Sequence, residues 1–194
     1  ILFLFFEHRK YFSSLKPKTF PRVSIVIPMY NGAKYIGDCL KSVKKLNYPK
    51  EKLEIIVVDD GSTDNSYEEA TKFRGIKVLK KKHSGKAASV NYGLEVAKGE
   101  LIGILDCDSV VEKDALRKMI GYFDEGNVAA VVSGRRVKSP KCLLEKFQEI
   151  EYLLTLFFWK NYSFVRGLFI TPGVLSLYRK SVLDKVGKFR DNIT

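Results

Sequence analysis

The stretch Leu101-Ile102-Gly103-Ile104-Leu105-Asp106-Cys107-Asp108 constrains this chain more than any other. Five apolar residues without alternation, opened by Gly99 and closed by acids, read as a strand covered on both faces of a parallel sheet. Its carboxyl end then carries chemistry. Side chains of an extended segment repeat with period two, so Asp106 and Asp108 are expected on one side and Cys107 on the other. Two carboxylates about 5 Å apart at an effective dielectric near 20 repel by roughly 3 kcal/mol, so the pair calls for a cation or one raised pKa. A hard divalent ion, Mg²⁺ or Mn²⁺, suits them. Such an ion is held by one or two carboxylates plus substrate phosphates, which points to a nucleotide diphosphate as substrate. Standing alone, Asp-x-Asp serves equally as a strand-to-loop cap.

The rest of the chain repeats the strand-then-helix alternation. Val23 to Pro28 is a β-branched strand stopped by proline, followed by a helix on which Ile36, Leu40, Val43 and Leu46 recur at helical spacing. Glu54 to Val58 is a second strand, ending in Asp59-Asp60-Gly61-Ser62-Thr63-Asp64. Ser62 or Thr63 is the expected cap of a helix running to about Phe73, with Gly75 suited to its left-handed end. Ile76 to Leu79 is a third strand, leading through the basic loop Lys80 to Gly85 into a helix marked by Ala87, Val90, Leu94 and Ala97. After the central strand come a helix through Leu116, Ile120 and Phe123 and a strand from Val128 to Val132. This order predicts an α/β fold with a doubly wound, mostly parallel sheet and helices on both faces. Ligands bind such sheets outside the carboxyl ends of the strands, so the segments after Ile27, Val58 and Leu105 are expected to meet in one crevice.

From Cys142 onward Leu143, Phe147, Ile150, Leu154 and Phe157 form a helical stripe that ends in Phe158-Trp159-Lys160-Asn161-Tyr162. Two readings stand: a core-facing helix, or a helix at a membrane interface, where Trp, Tyr and Lys are favoured. Val174 to Lys180 reads as a short strand entering a last helix.

A length of 194 residues with 45% apolar and 29% charged composition fits one domain with a sizeable core and excludes a disordered chain. The formal charge of +12 suits phosphorylated substrates, anionic lipid or polyanions. Its basic residues lie on helix faces and in the Lys80–Lys82 loop without interleaved aromatics, so no nucleic-acid partner is expected. Cys39, Cys107 and Cys142 lack metal-ligand or disulfide spacing. Ile1 to Phe6 is too short to span a bilayer and is expected to be the end of a longer transmembrane helix, with Arg9, Lys10, Lys16, Lys18 and Arg22 as its cytoplasmic flank. A loose hydrophobic terminus or a signal-peptide remnant is the other reading. The expected boundaries are 1–21 for this segment with its basic linker and 22–194 for a catalytic domain.

In this order and at these separations, Ile25-Val26-Ile27-Pro28-Met29-Tyr30-Asn31, Val57-Val58-Asp59-Asp60-Gly61-Ser62-Thr63-Asp64, Gly85-Lys86-Ala87 with Asn91-Tyr92-Gly93-Leu94, and Asp106-Cys107-Asp108 resemble the glycosyltransferase family 2 catalytic domain, of the Rossmann-like GT-A type. The resemblance implies a UDP-sugar donor. It implies that Pro28 and Tyr30 line the nucleoside pocket and that Asp59, with Asp60 beside it, accepts from the uracil imide N–H. Lys86 is implied near the diphosphate, Asp106 near the ribose and metal, and Asp108 as direct metal ligand. Lys86 also reads simply as a solvated lysine, and Cys107 as packing rather than a thiolate ligand. His83 reads as a loop histidine. Gln148-Glu149-Ile150-Glu151-Tyr152 and Pro172-Gly173 with Leu175 to Lys180 narrow the resemblance to membrane-embedded polysaccharide synthases acting on the cytoplasmic face. Polysaccharide, or a lipid-linked or small acceptor, is the implied partner, and a non-catalytic nucleotide-binding module is the reading from another class.

Two departures stand out. Gly32 replaces the glutamate common after Tyr-Asn, which touches one nucleoside contact. The carboxylate base of this inverting family follows a Gly-x-Phe segment, and Gly187-Lys188-Phe189 is followed here by only Arg190 to Thr194. The base is therefore expected just after Thr194, and the chain is expected to bind donor and metal without efficient transfer.

Overall fold

The computed structural model describes residues 15–164 and 171–190. The apolar run 1–6, the basic pair Arg9 and Lys10, and residues 191–194 at the expected position of the base motif lie outside the described residues. So does the start of the expected 1–21 segment.

Six strands form one sheet: β1 (Val23–Met29), β2 (Leu53–Asp59), β3 (Lys77–Lys80), β4 (Leu101–Leu105), β5 (Ala130–Val132) and β6 (Val174–Arg179), in the order β3-β2-β1-β4-β6-β5. β1 pairs in parallel with β2 and β4, and β2 with β3. The helices are α1 (Ala33–Lys44), α2 (Ser66–Thr71), α3 (Lys86–Val96), α4 (Ala115–Ile120), α5 (Leu143–Phe164) and α6 (Lys180–Val186). The continuous apolar runs are explained by two cores. On one face Val23, Ile25 and Ile27 of β1 pack with Ile36, Leu40 and Val43 of α1 and Leu116 and Ile120 of α4. On the other, Val26, Ile56 and Ile104 pack with Val90 and Leu94 of α3 and Leu183 of α6. Every residue of β1 and β4 is buried, as a strand sandwiched by helices requires.

The sequence motif Asn91-Tyr92-Gly93 acquires a packing reason. A Cβ on Gly93 would stand 2.5 Å from Val26 Cγ1, so glycine lets α3 lie directly on β1. Asn91 clamps the main chain of Phe189, donating from Nδ2 to its carbonyl at 2.7 Å and accepting its N–H at 3.0 Å.

The structure adds the direction of one strand to the sequence reading and departs from it in two places. β6 lies between β4 and β5 and runs antiparallel to both. The connection carrying α5 returns to the carboxyl edge, where Ser133, just past β5, donates its N–H to Leu175 O at 3.2 Å, so the next strand can only run back down. α2 starts at Ser66 rather than near Ser62, because Asp64 accepts the Ser66 N–H at 3.0 Å and the preceding residues bond to the β1 loop instead. The stripe on α5 is not core: Leu143, Phe147, Ile150 and Leu154 are exposed and Phe157 is only half-buried, with Leu144 and Phe158 exposed beside them. Opposite this face, Tyr152 and Trp159 cover Arg135. No helix among the described residues is long and apolar enough to cross a membrane.

Candidate active site

Parallel pairing brings the carboxyl ends of β1, β2 and β4 to one edge, and the register places Met29 opposite Asp59 and Val26 opposite Ile104. Asp59 and the acidic turn after β4 are thus two strand spacings apart, about 10 Å. That separation is close to what a ribose and diphosphate span.

Asp59 ends β2 and is fully buried. Its Oδ1 accepts the Ser62 N–H at 3.1 Å, while Oδ2 is buried with no hydrogen-bond partner. A buried acceptor left unpaired is destabilising by about 1–3 kcal/mol, so it marks a place where a donor is missing. Pro28 is buried within β1, one residue before the edge, and Tyr30 stands half exposed just beyond it. The Tyr30 ring stacks on His83 with centroids 4.3 Å apart. Asn31, held in a left-handed conformation, joins the β1 and β2 loops: its N–H donates to Ser62 Oγ at 3.0 Å and its Oδ1 accepts the Thr63 N–H at 2.9 Å.

Asp60 has a different task from Asp59. Its carboxylate meets Lys81 Nζ at 2.5 Å, His83 Nδ1 at 2.8 Å, and the N–H groups of Ser84 at 3.1 Å and Gly85 at 2.8 Å. Burial pushes its pKa up, but the Lys81, Ser84 and Gly85 hydrogen bonds outweigh that and hold it below the usual carboxylate value. One buried carboxylate therefore folds the whole basic loop and sets where α3 begins. Lys86, the first residue of α3, then reaches Asp106, with Nζ 2.5 Å from Oδ1. His83, which the sequence suggested was only a loop residue, is the link between the Asp60 anchor and the Tyr30 ring.

The acidic pair does not sit on a strand. β4 ends at Leu105 and the chain turns at once, with the Ser109 N–H donating to Asp106 O at 3.0 Å, so the period-two argument for Asp106 and Asp108 does not apply. Asp106 is seated by a close backbone approach: its N–H donates to Gly173 O at 2.8 Å, and any Cβ on Gly173 would collide with its carboxylate. Asp108 is exposed, with Ser109 Oγ at 3.5 Å. Cys107 packs against the core, its Sγ 3.0 Å from where a Gly32 Cβ would lie. A larger residue at 32 would press on that sulfur, a local reason for glycine at this departure. Among the described residues no trio of His, Cys, Asp or Glu gathers into a metal cage. Two hard oxygen ligands on an open turn nevertheless fit a Mg²⁺ or Mn²⁺ that takes its remaining ligands from substrate phosphates and water.

A cavity of about 590 Å³ opens at the opposite, amino edge of β4, beside Lys98, Gly99, Arg179 and Lys180. Two of its cations are spent on the protein: Arg179 donates to Val128 O and Phe123 O, and Lys180 to Ala97 O. The polar groups identified from the sequence gather at the carboxyl edge instead.

A doubly wound sheet with an orphaned carboxylate, a lysine and an acidic turn at one carboxyl edge defines an α/β protein whose candidate ligand site lies outside the strand ends. The chain belongs to glycosyl transferase family 2, which it matches over residues 24–187, and it is a glycosyltransferase domain of the GT-A fold. It is 33% identical over 171 residues to poly-β-1,6-N-acetyl-D-glucosamine synthase of Staphylococcus epidermidis, covering 85% of this chain and 41% of the relative. It is 32% identical over 189 residues to the probable glycosyltransferase YdaM of Bacillus subtilis, covering 90% and 44%. The chain thus spans less than half the length of these curated relatives. Among solved structures, the mannosyltransferase PcManGT of Pyrobaculum calidifontis, in complex with GDP-Man and Mn²⁺, superposes with a TM-score of 0.73 at 24% identity, over 99% of this chain and 55% of that one. Staphylococcus aureus TarS, in complex with UDP-GlcNAc, gives 0.65 at 24% identity, over 87% and 48%. At that identity these two likenesses speak for the fold.

Proposed function

We propose that this domain binds a UDP-sugar and passes the sugar, with inversion, to a growing polysaccharide at a membrane. The observation that carries the donor reading is the buried, unpaired Asp59 Oδ2 beside the exposed Tyr30 ring. A uracil imide N–H supplies the donor this oxygen lacks, and a base without a donor there leaves it unpaired. Pro28 and Tyr30 wall the base, while Asp60 acts through the Lys81–Gly85 loop to deliver Lys86.

Asp108, with Asp106, would hold a divalent ion, whose chemistry is to neutralise the departing diphosphate. Lys86, which pairs with Asp106 in the free protein, would meet a phosphate oxygen of the donor. The Asn91 clamp on Phe189 fixes the main chain there against α3. The relatives named as polysaccharide synthases favour a polymer over a small or lipid-linked acceptor. The exposed Leu143, Phe147, Ile150, Leu154 and Phe158 face of α5 fits the surface of a bilayer, with the catalytic edge facing the cytoplasm.

Calorimetric titration with UDP, CDP and GDP, with and without Mn²⁺, tests the donor reading. UDP is expected to bind best, and Asp108→Ala to lose the Mn²⁺-dependent part of its affinity. Equal binding of UDP and CDP would remove the role given to Asp59. Product length from the protein fed labelled UDP-N-acetylglucosamine separates chain elongation from single transfer.

A further inference from the structure

We propose that Arg135 binds a phosphate group, at a subsite separate from the donor's diphosphate. Arg135 lies three residues past β5, at the same edge as the acidic turn. Its guanidinium carbon is 4.2 Å from the centroid of the Tyr152 ring and 5.9 Å from that of Trp159, so α5 holds the cation against two aromatic rings. Nε is buried with no hydrogen-bond partner, and no carboxylate of the described residues pairs with the side chain.

A guanidinium is always charged, so this is a fixed, partly desolvated cation with an unused donor. Arg179 in the neighbouring strand provides the contrast. Its Nε and Nη2 both donate to main-chain carbonyls, at 2.7 and 2.6 Å, which is how a structural arginine uses the same fork. At Arg135 no such bond to Nε forms, and phosphate is the group whose oxygens match a guanidinium fork bidentately.

Position separates this subsite from the donor. β5 is two strands from β4, with β6 between them, so the start of the Arg135 loop is displaced by about 10 Å from the acidic turn. The two are nevertheless joined through hydrogen bonds, since Ser133 bonds to Val174 and Leu175, and the adjoining Gly173 accepts from Asp106. Calling this subsite separate from the donor's rests on the donor reading above. The binding of phosphate itself does not.

Trp159 is the sole tryptophan of the 194-residue chain, so its fluorescence reports on this pocket directly. Titrating the chain with octyl phosphate below its micellar concentration is expected to change Trp159 emission saturably. Arg135→Gln is expected to weaken that response at least tenfold, and Arg135→Lys, which keeps the charge but not the fork, to weaken it less, both without altering the affinity for UDP with Mn²⁺. Should Arg135→Gln fail to fold, a loss of several-fold in Arg135→Lys carries the same test. No saturable response to octyl phosphate, or an undiminished one in the variants, overturns the proposal. A parallel loss of UDP affinity overturns it too, by assigning the cation to the donor. A response to phosphatidylglycerol vesicles without one to octyl phosphate assigns it to a bilayer and also overturns it. A parent chain that answers octyl phosphate but not UDP sinks the donor reading and leaves the phosphate site standing.

Discussion

Replacing Asp59 by Asn is expected to move stability and donor affinity in opposite directions. The wild-type carboxylate is fully buried, with Oδ1 bonded to the Ser62 N–H and Oδ2 unpaired. Asn keeps the Oδ1 bond and the shape, and replaces the orphaned Oδ2 by a neutral amide group. Stability is therefore expected to hold or to rise by about 1 kcal/mol, which in a domain of this size is roughly 2–4 °C in Tm. Toward uracil the change is adverse, because an amide N–H now faces the imide N–H. A hydrogen bond to a charged group contributes about 1.5–3 kcal/mol, so UDP affinity should fall roughly 10- to 150-fold. Cytosine offers an acceptor at the same position, so the preference for UDP over CDP should narrow or reverse. Calorimetry with both nucleotides, beside thermal melts of the two proteins, makes the measurement. Unchanged UDP affinity, or a loss that simply follows a lowered Tm, refutes the reasoning, since either means the orphaned oxygen faces no ligand.

Other outcomes follow from neighbouring contacts. Asp60→Asn breaks a buried pair with Lys81 and should destabilise the Lys80–Gly85 loop by about 3 kcal/mol, read as faster amide exchange at Ser84 and Gly85. Because the folded-state pKa of Asp60 lies below its ordinary 3.8, its stabilisation is complete above that value and is lost as pH falls through the folded pKa, so an acid melt should lose its low-pH slope in the variant. Gly173→Ala should push the Asp106 carboxylate aside and weaken Mn²⁺-dependent UDP binding by about 100-fold if the shift reaches 1 Å, with metal-independent binding little changed. Thiol labelling at pH 8 should mark the exposed Cys142 quickly and spare Cys39, whose pKa is pushed up to about 12 by burial and by the nearby Cys107, Asp108 and Asp106; equal rates would contradict the packing described here.

The sequence by itself determined the layer order. Unbroken apolar runs such as Ile25–Ile27, Ile55–Val58 and Leu101–Leu105 can be satisfied only between two helical layers, and strand periodicity followed by helical periodicity dictates the crossovers. It also identified the carboxyl-edge residues as a group, because parallel strands bring their ends together wherever they fall in the chain. What tertiary structure decided were matters that pattern cannot encode. An apolar run has no direction, so the antiparallel insertion of β6 depended on the return of the chain after α5. Extended spacing of Asp106 and Asp108 failed because the strand ends one residue earlier and Gly173 seats the turn from 67 positions away. Asp59 and Asp60 are adjacent and chemically identical in the sequence, yet one keeps an oxygen without a partner and the other is surrounded by Lys81, His83, Ser84 and Gly85. The stripe on α5 has the same period whether it faces a core or not, and only the packing of Tyr152 and Trp159 over Arg135 decided that its apolar side looks outward. Hydrogen-bond partners distant in sequence settle such questions, and a one-dimensional pattern records the donors and acceptors without recording which of them meet.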